Sequence, residues 1–132
     1  MAFMLDTNVC IDLIRKKTGK LLSRLRKARP DEVCVSSITL GELEYGVAKS
    51  SAPDRNRLAL AEFMTPIDIR PYDDHVAPYY GRIRAELERR GKQIGPLDVM
   101  IAAHAVALGL TLVTSNVREF RRVPGLPVEN WG

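Results

Sequence analysis

Short apolar segments separated by longer amphipathic segments run along this chain. Four of the short segments have the length and apolar character of buried strands: 3–5, 33–35, 67–69 and 111–114. Pro71 ends the third of these strands, and Val128 is expected in a final edge strand. The pattern therefore predicts five short strands spread over the chain.

Apolar positions at helical spacing fill the intervals between the strands. They predict helices over 7–16, 18–28, from the Ser36–Ser37 cap past Val47, from Pro53 past Phe63, from Asp73 or Asp74 to Arg90, from Pro96 to Leu108, and over 116–120. Asn116 is expected to cap the last of these helices, and Gly91 and Gly109 to end two others. The helix ending at Arg90 is expected to be the longest.

Strands that alternate with helices are typical of a parallel sheet with helices on both faces, which places the chain in the α/β class. In such sheets ligands bind beyond the carboxyl ends of the strands. The length of 132 residues is that of one domain with a substantial core, so residues 1–132 are expected to form a single domain.

The composition is that of a soluble globular protein, with 45% apolar and 27% charged residues. No apolar run approaches the roughly 20 residues that cross a bilayer, and the first residues lack the features of a signal peptide. A cytoplasmic location without membrane contact is therefore expected. Cys10 and Cys34 stand in apolar segments without a CxxC spacing, so they are expected as buried thiols.

Positive charge is concentrated near the start of the chain. The formal net charge is +4, but residues 1–30 contain eight Lys and Arg against two Asp, so the rest of the chain carries a net charge of about −2. A basic surface beside an acidic pocket suits a polyanion that is held while it is cut.

Three acidic residues occupy similar positions, each beside a short apolar segment where a strand or helix begins or ends. They are Asp6 after the segment 3–5, Glu42 after the segment around 33–38, and Asp98 before the apolar run 99–103. Carboxylates in apolar surroundings are costly unless they are paired, hydrogen-bonded or bound to metal. If the three converge at one rim of the sheet, they form a hard-cation site suited to chemistry on phosphates.

Each of these acids also has an ordinary structural interpretation. Asp6 is a favoured N-cap for the helix that follows it, and Asp98 lies in a first helical turn, where the macrodipole stabilises a carboxylate. Glu42 considered alone is typical of an exposed helical glutamate. Only the three residues together favour a functional site.

Four motifs carry a resemblance to a known family. They are Met4-Leu5-Asp6-Thr7-Asn8, Ser36-x-Ile38-Thr39-x-Gly41-Glu42-Leu43, Gly95-Pro96-Leu97-Asp98 with Ile101-Ala102, and Thr114-x-Asn116 with Phe120. In this order and spacing they resemble the motifs of PIN-domain ribonucleases, and most closely the VapC type, the toxins of bacterial toxin–antitoxin pairs. The resemblance extends from residue 3 to Trp131.

The resemblance implies a PIN-like three-layer α/β/α fold with a central, mostly parallel sheet. It also implies that Asp6, Glu42 and Asp98 bind Mg²⁺ or Mn²⁺ and activate water for hydrolysis of phosphodiester bonds. Thr114 is placed on the substrate side of this site, where the family pattern gives it a bond to a catalytic carboxylate. The same residue equally well ends a strand and nothing more.

One position departs from the family pattern. Many relatives carry an acidic residue where this chain has Asn116, whose amide can bond a metal-bound water but adds no charge. Glu119, one helical turn further on, is a candidate for the missing carboxylate. Both residues are therefore expected in the catalytic site, and the neutral amide affects a second metal position more than the first.

The resemblance further implies three kinds of partner. The substrate is expected to be RNA, with tRNA cut in the anticodon region. A VapB-like antitoxin is expected to lay an extended tail in a groove of the toxin, and a second copy of the chain to form a homodimer. Five residues are candidates for that dimer interface, although core packing explains them as readily: Leu43, Tyr45, Val76, Tyr79 and Tyr80.

Basic residues follow the first predicted helix without acidic neighbours. Four of them are candidates for contacts with substrate phosphates, the first three above all: Arg15, Lys16, Lys17 and Lys20. Solvated side chains are the alternative, which is preferred for the arginines near Arg90 because glutamates stand beside them. His104 lies among small apolar residues and is expected to be packed, whereas His75 is expected to be exposed.

Three other functions stay open at this point. Haloacid-dehalogenase-like phosphatases also begin with a strand and an Asp, but their usual second aspartate two residues later is Asn8 here. A non-catalytic RNA-binding regulator on the same fold is favoured only by the neutral Asn116. DNA is an alternative substrate, because carboxylate–metal chemistry acts on the phosphodiester and needs no 2′-hydroxyl.

Overall fold

The computed structural model describes residues 3–16 and 19–132, so Lys17 lies outside the described residues. The strands are β1 (Phe3–Leu5), β2 (Val33–Ser36), β3 (Asp68–Arg70), β4 (Thr111–Val113) and β5 (Val128–Glu129). The helices are α1 (Thr7–Arg15), α2 (Lys20–Lys27), α3 (Ser37–Lys49), α4 (Pro53–Met64), α5 (Ala77–Arg89), α6 (Pro96–Leu108) and α7 (Val117–Phe120). Two 3₁₀ turns cover Pro30–Glu32 and Asp74–Val76.

The strands form one parallel sheet in the order β3-β2-β1-β4-β5. All four pairings are parallel, with Leu5 beside Val113 and Phe3 beside Val33. Parallel neighbours need crossover connections, which the helices provide. The α/β class and the parallel sheet predicted from the sequence are therefore confirmed.

Successive side chains along each strand point to opposite faces of the sheet, so the core is divided between the two faces. Met4 and Leu112 belong to a cluster with α5, α6 and Phe120. Leu5 and Val113 belong to a second cluster, which is built with α1 to α4. Burial of each such side chain contributes about 1.5–3 kcal/mol, and the two clusters fix the helices as separate layers above and below the sheet.

Glycines end two helices as predicted. Gly91 after α5 and Gly109 after α6 have φ values of 64° and 68°. In this left-handed conformation the Leu110 amide can return to the Ala105 carbonyl at 2.9 Å, which satisfies one of the last free carbonyls of α6.

Three predicted boundaries are wrong. The helix expected from residue 73 or 74 begins with a 3₁₀ turn capped by Asp73, and α5 has 13 residues, no more than α3 or α6. The third strand is shifted by one residue, because Ile67 closes a turn onto the Met64 carbonyl and packs against the core instead. Helix α2 begins at Lys20 rather than at residue 18, which lies outside the described ranges.

Several single-residue predictions are settled by burial. Cys10 and Cys34 are buried free thiols, and burial raises the pKa of Cys34 to about 11, so neither is a reactive nucleophile.

Leu43 and Val76 belong to the core, which excludes them from a dimer interface, whereas Tyr45 stays 65% exposed. Tyr79 and Tyr80 are partly buried against the core.

The two histidines lie where the sequence predicts. His104 is buried, its Nδ1 lies 2.9 Å from the Ser36 hydroxyl, and its ring meets Tyr72 edge-on. Burial lowers the pKa of His104, so this side chain is a packed neutral histidine. His75 is exposed.

Among residues 3–16 and 19–132, no helix combines the length and the apolar character needed to span a bilayer.

Candidate active site

The acidic residues gather at the carboxyl edge of the sheet. The chain passes from β1 to β2 on one side and later reaches β4 on the other, so the strand order reverses at β1. A parallel sheet opens a crevice at such a reversal. The Asp6 amide donates to the Val113 carbonyl at 3.0 Å, which fixes Asp6 directly at the mouth of that crevice.

Asp6 caps α1 and is nearly enclosed. Its side chain is only 4% exposed, and its Oδ1 accepts a hydrogen bond from the Val9 amide at 2.8 Å. Burial raises the pKa of Asp6, hydrogen bonding to the Thr114 side chain and Val9 amide opposes that rise, and the charges of Asp12 and Glu42 add to it. Asp6 therefore caps α1 through Oδ1, and this cap leaves Oδ2 available to bind a metal ion.

Glu42 is held by a residue of the first motif. The Thr7 hydroxyl donates to Oε1 of Glu42 at 2.6 Å and lies 3.2 Å from the Thr39 hydroxyl. Thr39 is fully buried one helical turn before Glu42 on α3. These contacts turn a half-buried glutamate toward α1, so Glu42 is not the free surface residue that it resembles in isolation.

Asp98 lies in the first turn of α6 and faces the other acids. Burial and, to a smaller extent, the charges of Glu119, Glu42 and Asp6 together raise the pKa of Asp98 to about 6. Because the influence of one charge on another falls with distance, the other three carboxylates lie within electrostatic reach of Asp98. The three acids singled out in the sequence are brought to one mouth of the sheet.

Gly95 makes room for the Asp98 carboxylate. A Cβ atom built on Gly95 would lie 3.1 Å from Oδ2 of Asp98, closer than ordinary van der Waals contact. The backbone of Gly95 has φ −55° and ψ 148°, which any residue can adopt. Glycine is therefore explained here by the space beside the carboxylate and not by backbone strain.

Thr114, Asn116 and Glu119 complete the rim after β4. The Thr114 hydroxyl accepts a hydrogen bond from the Asn116 amide at 2.9 Å, and the Asn116 side-chain amide donates to Oε2 of Glu119. The other Glu119 oxygen accepts from the Gly95 amide at 3.3 Å. Asn116 thus precedes α7 without capping it through its side chain, since its amide is engaged with Glu119 instead.

Thr114 is fully buried. Its hydroxyl lies between Asp6 and Asn116, which favours positioning of the Asp6 carboxylate over direct contact with a substrate.

The donor set suits a hard divalent cation. Among the residues that the structure describes, none of the four carboxylates lies within 4.0 Å of a basic side chain, so their mutual repulsion has no neutralising partner in the protein. Within the same residues, no three acid, His or Cys side chains already stand at metal-ligand distances from a common point. Mg²⁺ keeps several waters and needs only one or two direct carboxylates, which this oxygen-rich rim provides.

The basic candidates lie beside the acids and not among them. Arg15 is exposed in the last turn of α1, and Lys16 is exposed directly after it. A groove of about 420 Å³ between α1, α3 and α4 is lined by Arg15, by the exposed Tyr45, and by Thr7 and Glu42 of the acidic site. The groove therefore connects a basic residue with the edge of the carboxylate cluster.

Sequence reasoning missed the positioning residues. Thr7 stands in the first motif next to Asp6, but its hydroxyl donates to Glu42, a residue 35 positions away in the chain. Thr39 stands three residues before Glu42 on the same helical face, a spacing that could have identified it. Gly95 stands immediately before Pro96, where an N-terminal cap explains it without any reference to Asp98.

Comparison with known proteins places the chain among nucleases. Residues 3–126 match the PIN domain family. The chain is 47% identical over 131 residues to the tRNA(fMet)-specific endonuclease VapC of Shigella flexneri, a match that covers 99% of this chain and 98% of that protein.

Solved structures agree with this similarity. VapBC2 from Rickettsia felis, bound to a DNA fragment from its promoter, has a chain with a TM-score of 0.95 and 40% identity that covers 100% of both chains. DNA-bound VapBC from Salmonella typhimurium gives a TM-score of 0.95 with 45% identity over 100% of this chain and 99% of that chain. Both the family resemblance carried by the four motifs and the three-layer fold are thereby confirmed.

Proposed function

The chain belongs to the PIN-domain family as a ribonuclease of the VapC type, and from this premise we propose that it cuts tRNA(fMet) by metal-dependent hydrolysis. It is the toxin member of a toxin–antitoxin pair, as its likeness to VapBC complexes shows. We assign the metal as Mg²⁺ or Mn²⁺, with Asp6, Glu42 and Asp98 as its protein ligands.

One observation carries the assignment of the site. Carboxylates from three other parts of the chain act on Asp98, whose pKa is raised to about 6 by burial and by the charges of Glu119, Glu42 and Asp6. Such an arrangement costs folding free energy unless a cation relieves it. Residues that only cap helices or cover a surface do not need to share one crevice.

The neighbours of the acids fix each carboxylate for this task. The Val9 amide holds one oxygen of Asp6, and the Thr7 hydroxyl holds one oxygen of Glu42. The Asn116 amide and the Gly95 amide hold the two oxygens of Glu119. We propose Asn116 and Glu119 as supporting members of the site, with Glu119 supplying the charge that Asn116 lacks.

Held by Asp6, Glu42 and Asp98, a divalent ion would supply positive charge to acidify a water and to offset the charge that develops on the phosphate. The carboxylates hold and orient that charge, and the closed side of the crevice limits the access of bulk water to Asp6, which is 4% exposed. Preorganised groups of this kind act without rearrangement at the moment of reaction.

The proposed substrate rests on the similarity to the Shigella flexneri protein and on charge. Arg15 and Lys16 lie at the end of the helix that Asp6 begins, and we propose that they contact phosphates of the bound RNA, together with Lys17. We place the cut in the anticodon region, since an unpaired loop can enter a narrow crevice more easily than a duplex. The expected cytoplasmic location follows from such a substrate.

The partners are proposed from the surface beside the site. The groove of about 420 Å³ that includes Thr7, Glu42 and Tyr45 suits the extended tail of a VapB-like antitoxin, which would block access to the acids. A homodimer of single-domain chains, each spanning residues 1–132, is also proposed, with the exposed Tyr45 and the partly buried Tyr79 and Tyr80 as candidate contacts.

The alternative functions find no support. A haloacid-dehalogenase-like phosphatase needs a second aspartate where Asn8 is exposed, and the chain is similar to ribonucleases instead. A non-catalytic regulator does not explain why Glu119 is brought into the site beside the neutral Asn116.

Cleavage mapping tests the proposal. Purified chain free of antitoxin, incubated with total tRNA and Mg²⁺ or Mn²⁺, should cut tRNA(fMet) in its anticodon loop, and a chelator should stop the reaction. Asp6→Asn, Glu42→Gln and Asp98→Asn should each lose cleavage, and a DNA stem-loop of the same sequence should resist. Wild-type cutting by Asp6→Asn, or cutting that persists in chelator, would remove the proposed roles.

A further inference from the structure

Helix α2 presents an unusually basic surface. Its sequence Lys-Leu-Leu-Ser-Arg-Leu-Arg-Lys contains four basic residues and no acidic residue. The three leucines are partly buried against the core cluster beneath α1 to α4. The apolar side of the helix is thus already used, and the side that faces solvent is defined by charge.

These charges are unpaired, in contrast with those of α5. Among residues 3–16 and 19–132, no carboxylate lies within 4.0 Å of a basic group of α2. Two of the three arginines of α5 are paired, Arg84 with Glu88 and Arg89 with Glu86, and Arg90 directly after the helix also pairs with Glu86. Glutamates offset most of the arginine charge at α5, whereas no carboxylate near α2 offsets its charge. The surface of α2 is therefore suited to bind an external anion.

One member of the basic surface is held in a fixed position. The Arg24 guanidinium lies 4.5 Å from the ring centroid of Trp131 and 5.7 Å from that of Phe3. The two rings meet edge-on at 5.0 Å, and the indole N–H donates to Glu129 at 3.0 Å. A guanidinium stacked in this way keeps its N–H edges free and loses little conformational entropy when it binds a phosphate.

Neighbouring side chains extend this position into a shallow site. An open cavity of about 450 Å³ is lined by Lys20, Ser23, Arg24, Lys27 and Trp131. The helical members recur at intervals of three and four residues, so they occupy one face of α2. Three positive charges and a hydroxyl therefore converge beside an aromatic anchor.

The basic face lies away from the carboxylates. Arg24 covers Phe3, the first residue of β1, whereas Asp6 follows the last residue of the same strand. Three residues of strand span about 10 Å. A phosphate bound on α2 is thus not the phosphate that is cut.

We propose that the face formed by Lys20, Arg24 and Lys27 binds the sugar–phosphate backbone of the substrate tRNA outside the cleaved loop. The inference rests on the proposed nuclease function and adds a second contact to it. A folded protein partner needs exposed apolar anchors at the centre of its interface, and the one aromatic ring here, that of Trp131, is buried beneath Arg24. A polyanion requires only placed positive charge.

Binding measurements separate this role from catalysis. In the Asp6→Asn background, affinity for full-length tRNA(fMet) is measured over a range of salt concentrations for three proteins. They are the parent, Lys20→Gln/Arg24→Gln/Lys27→Gln on α2, and the matched control Arg84→Gln/Arg89→Gln/Arg90→Gln on α5 and directly after it. The α2 variant should bind roughly tenfold or more weakly near 0.15 M salt with a flatter salt dependence, because counterion release falls with each lost phosphate contact. The control should remain within about twofold of the parent, since exposed ion pairs contribute little.

Arg24 packs on Trp131, so Lys20→Gln/Lys27→Gln serves as a second variant that leaves this packing intact. It should show the same direction of change at smaller size, with an unchanged melting temperature. Equal binding by the parent and both α2 variants, or an equal loss in the α5 control, contradicts the proposal. Loss of antitoxin binding with intact tRNA binding also overturns it, in favour of a protein partner.

Cleavage then locates the contact. In the chain with intact acids, the α2 variant should lose at least tenfold more activity on full-length tRNA than on an isolated anticodon stem-loop. Equal losses on both substrates would place the contact at the loop and reject the proposal. If the unaltered chain cuts neither RNA, the nuclease assignment fails, while binding by the Asp6→Asn series still decides the role of α2.

Discussion

The Thr7 hydroxyl donates to Oε1 of Glu42 across 2.6 Å and so joins the helix after β1 to the helix after β2. The two residues are 35 positions apart in the chain. A single hydroxyl thus sets the orientation of one carboxylate relative to Asp6, the neighbour of Thr7 in sequence. The first motif supplies both an acid and the group that positions a second acid.

Replacement of Thr7 tests this positioning role. Thr7→Val keeps the shape of the side chain and removes the donor, so the Glu42 carboxylate loses a charge-assisted hydrogen bond worth about 1.5–3 kcal/mol. The rate constant for tRNA cleavage, measured under single-turnover conditions, should fall roughly ten- to a hundredfold. Thr7→Ser keeps the hydroxyl and should restore most of the rate; equal activity of the Val and Ser variants would show that the bond is irrelevant to catalysis.

Gly95→Ala tests the space beside Asp98. The new methyl group would meet Oδ2 at 3.1 Å and displace the carboxylate by a few tenths of an ångström, while the backbone conformation accepts alanine. Cleavage should fall about three- to tenfold with little change in melting temperature. Gly81→Ala is the matched control, because a Cβ there meets nothing within 4 Å. A fully active Gly95→Ala would mean that this space has no role.

Asp98→Asn is expected to stabilise the metal-free protein. The folded-state pKa of Asp98 is about 6 against an ordinary 3.8, so the unfolded chain releases this proton at lower pH than the folded chain does. Stability therefore falls as pH rises from about 4 to 6 and stays reduced above that range. Removal of the charge should recover about 1 kcal/mol at pH 7.5 after allowance for solvent screening.

Denaturant unfolding in chelator measures this effect of Asp98. The difference between the two proteins should vanish below about pH 3, where the Asp98 carboxyl is protonated in both the folded and the unfolded wild type. Mg²⁺ should stabilise the wild type more than the variant. A variant less stable than the wild type at pH 7.5 in chelator would show that Asp98 is held by favourable contacts and not by opposed charges.

Glu119 is predicted to compensate for the neutral Asn116. Glu119→Gln keeps one acceptor oxygen for the Gly95 amide but removes the charge that acts on Asp98, so Mn²⁺ affinity measured by titration should fall several-fold. Cleavage should then need more metal to reach its maximum. Glu62→Gln on the exposed part of α4 removes the same charge away from the site and should change nothing. Identical metal dependence in the two variants would exclude Glu119 from the site.

The fold was predictable because its signals are local. Apolar periodicity located β1, β2 and β4, and Gly109 and Pro96 marked the limits of α6. The edge strand β3 begins one residue later than predicted because Ile67 closes a turn onto the Met64 carbonyl, a contact that the alternation in Ile67-Asp68-Ile69 does not reveal. The 3₁₀ turn before α5 depends on the Asp73 cap, which has no unique signature in the chain.

The acidic residues of the site could be predicted from the sequence, but the contacts that position their side chains could not. Asp6, Glu42 and Asp98 stand in motifs, and a parallel sheet brings the ends of its strands to one edge. The bond from Thr7 to Glu42 and the gap at Gly95 depend on how α1 packs on α3 and how α6 enters the rim. Such contacts are products of three-dimensional packing and leave no spacing rule in the sequence.

Crystals of the chain soaked with Mn²⁺ and measured for anomalous scattering test most directly whether the acids hold a metal ion. We predict one strong peak at the crevice mouth, bonded at about 2.1 Å to at least one of Asp6, Glu42 and Asp98 and reached by the others through water, and weakened in Asp98→Asn. A fully formed crevice without such a peak, or a peak bound elsewhere while RNA is still cut, would contradict the account.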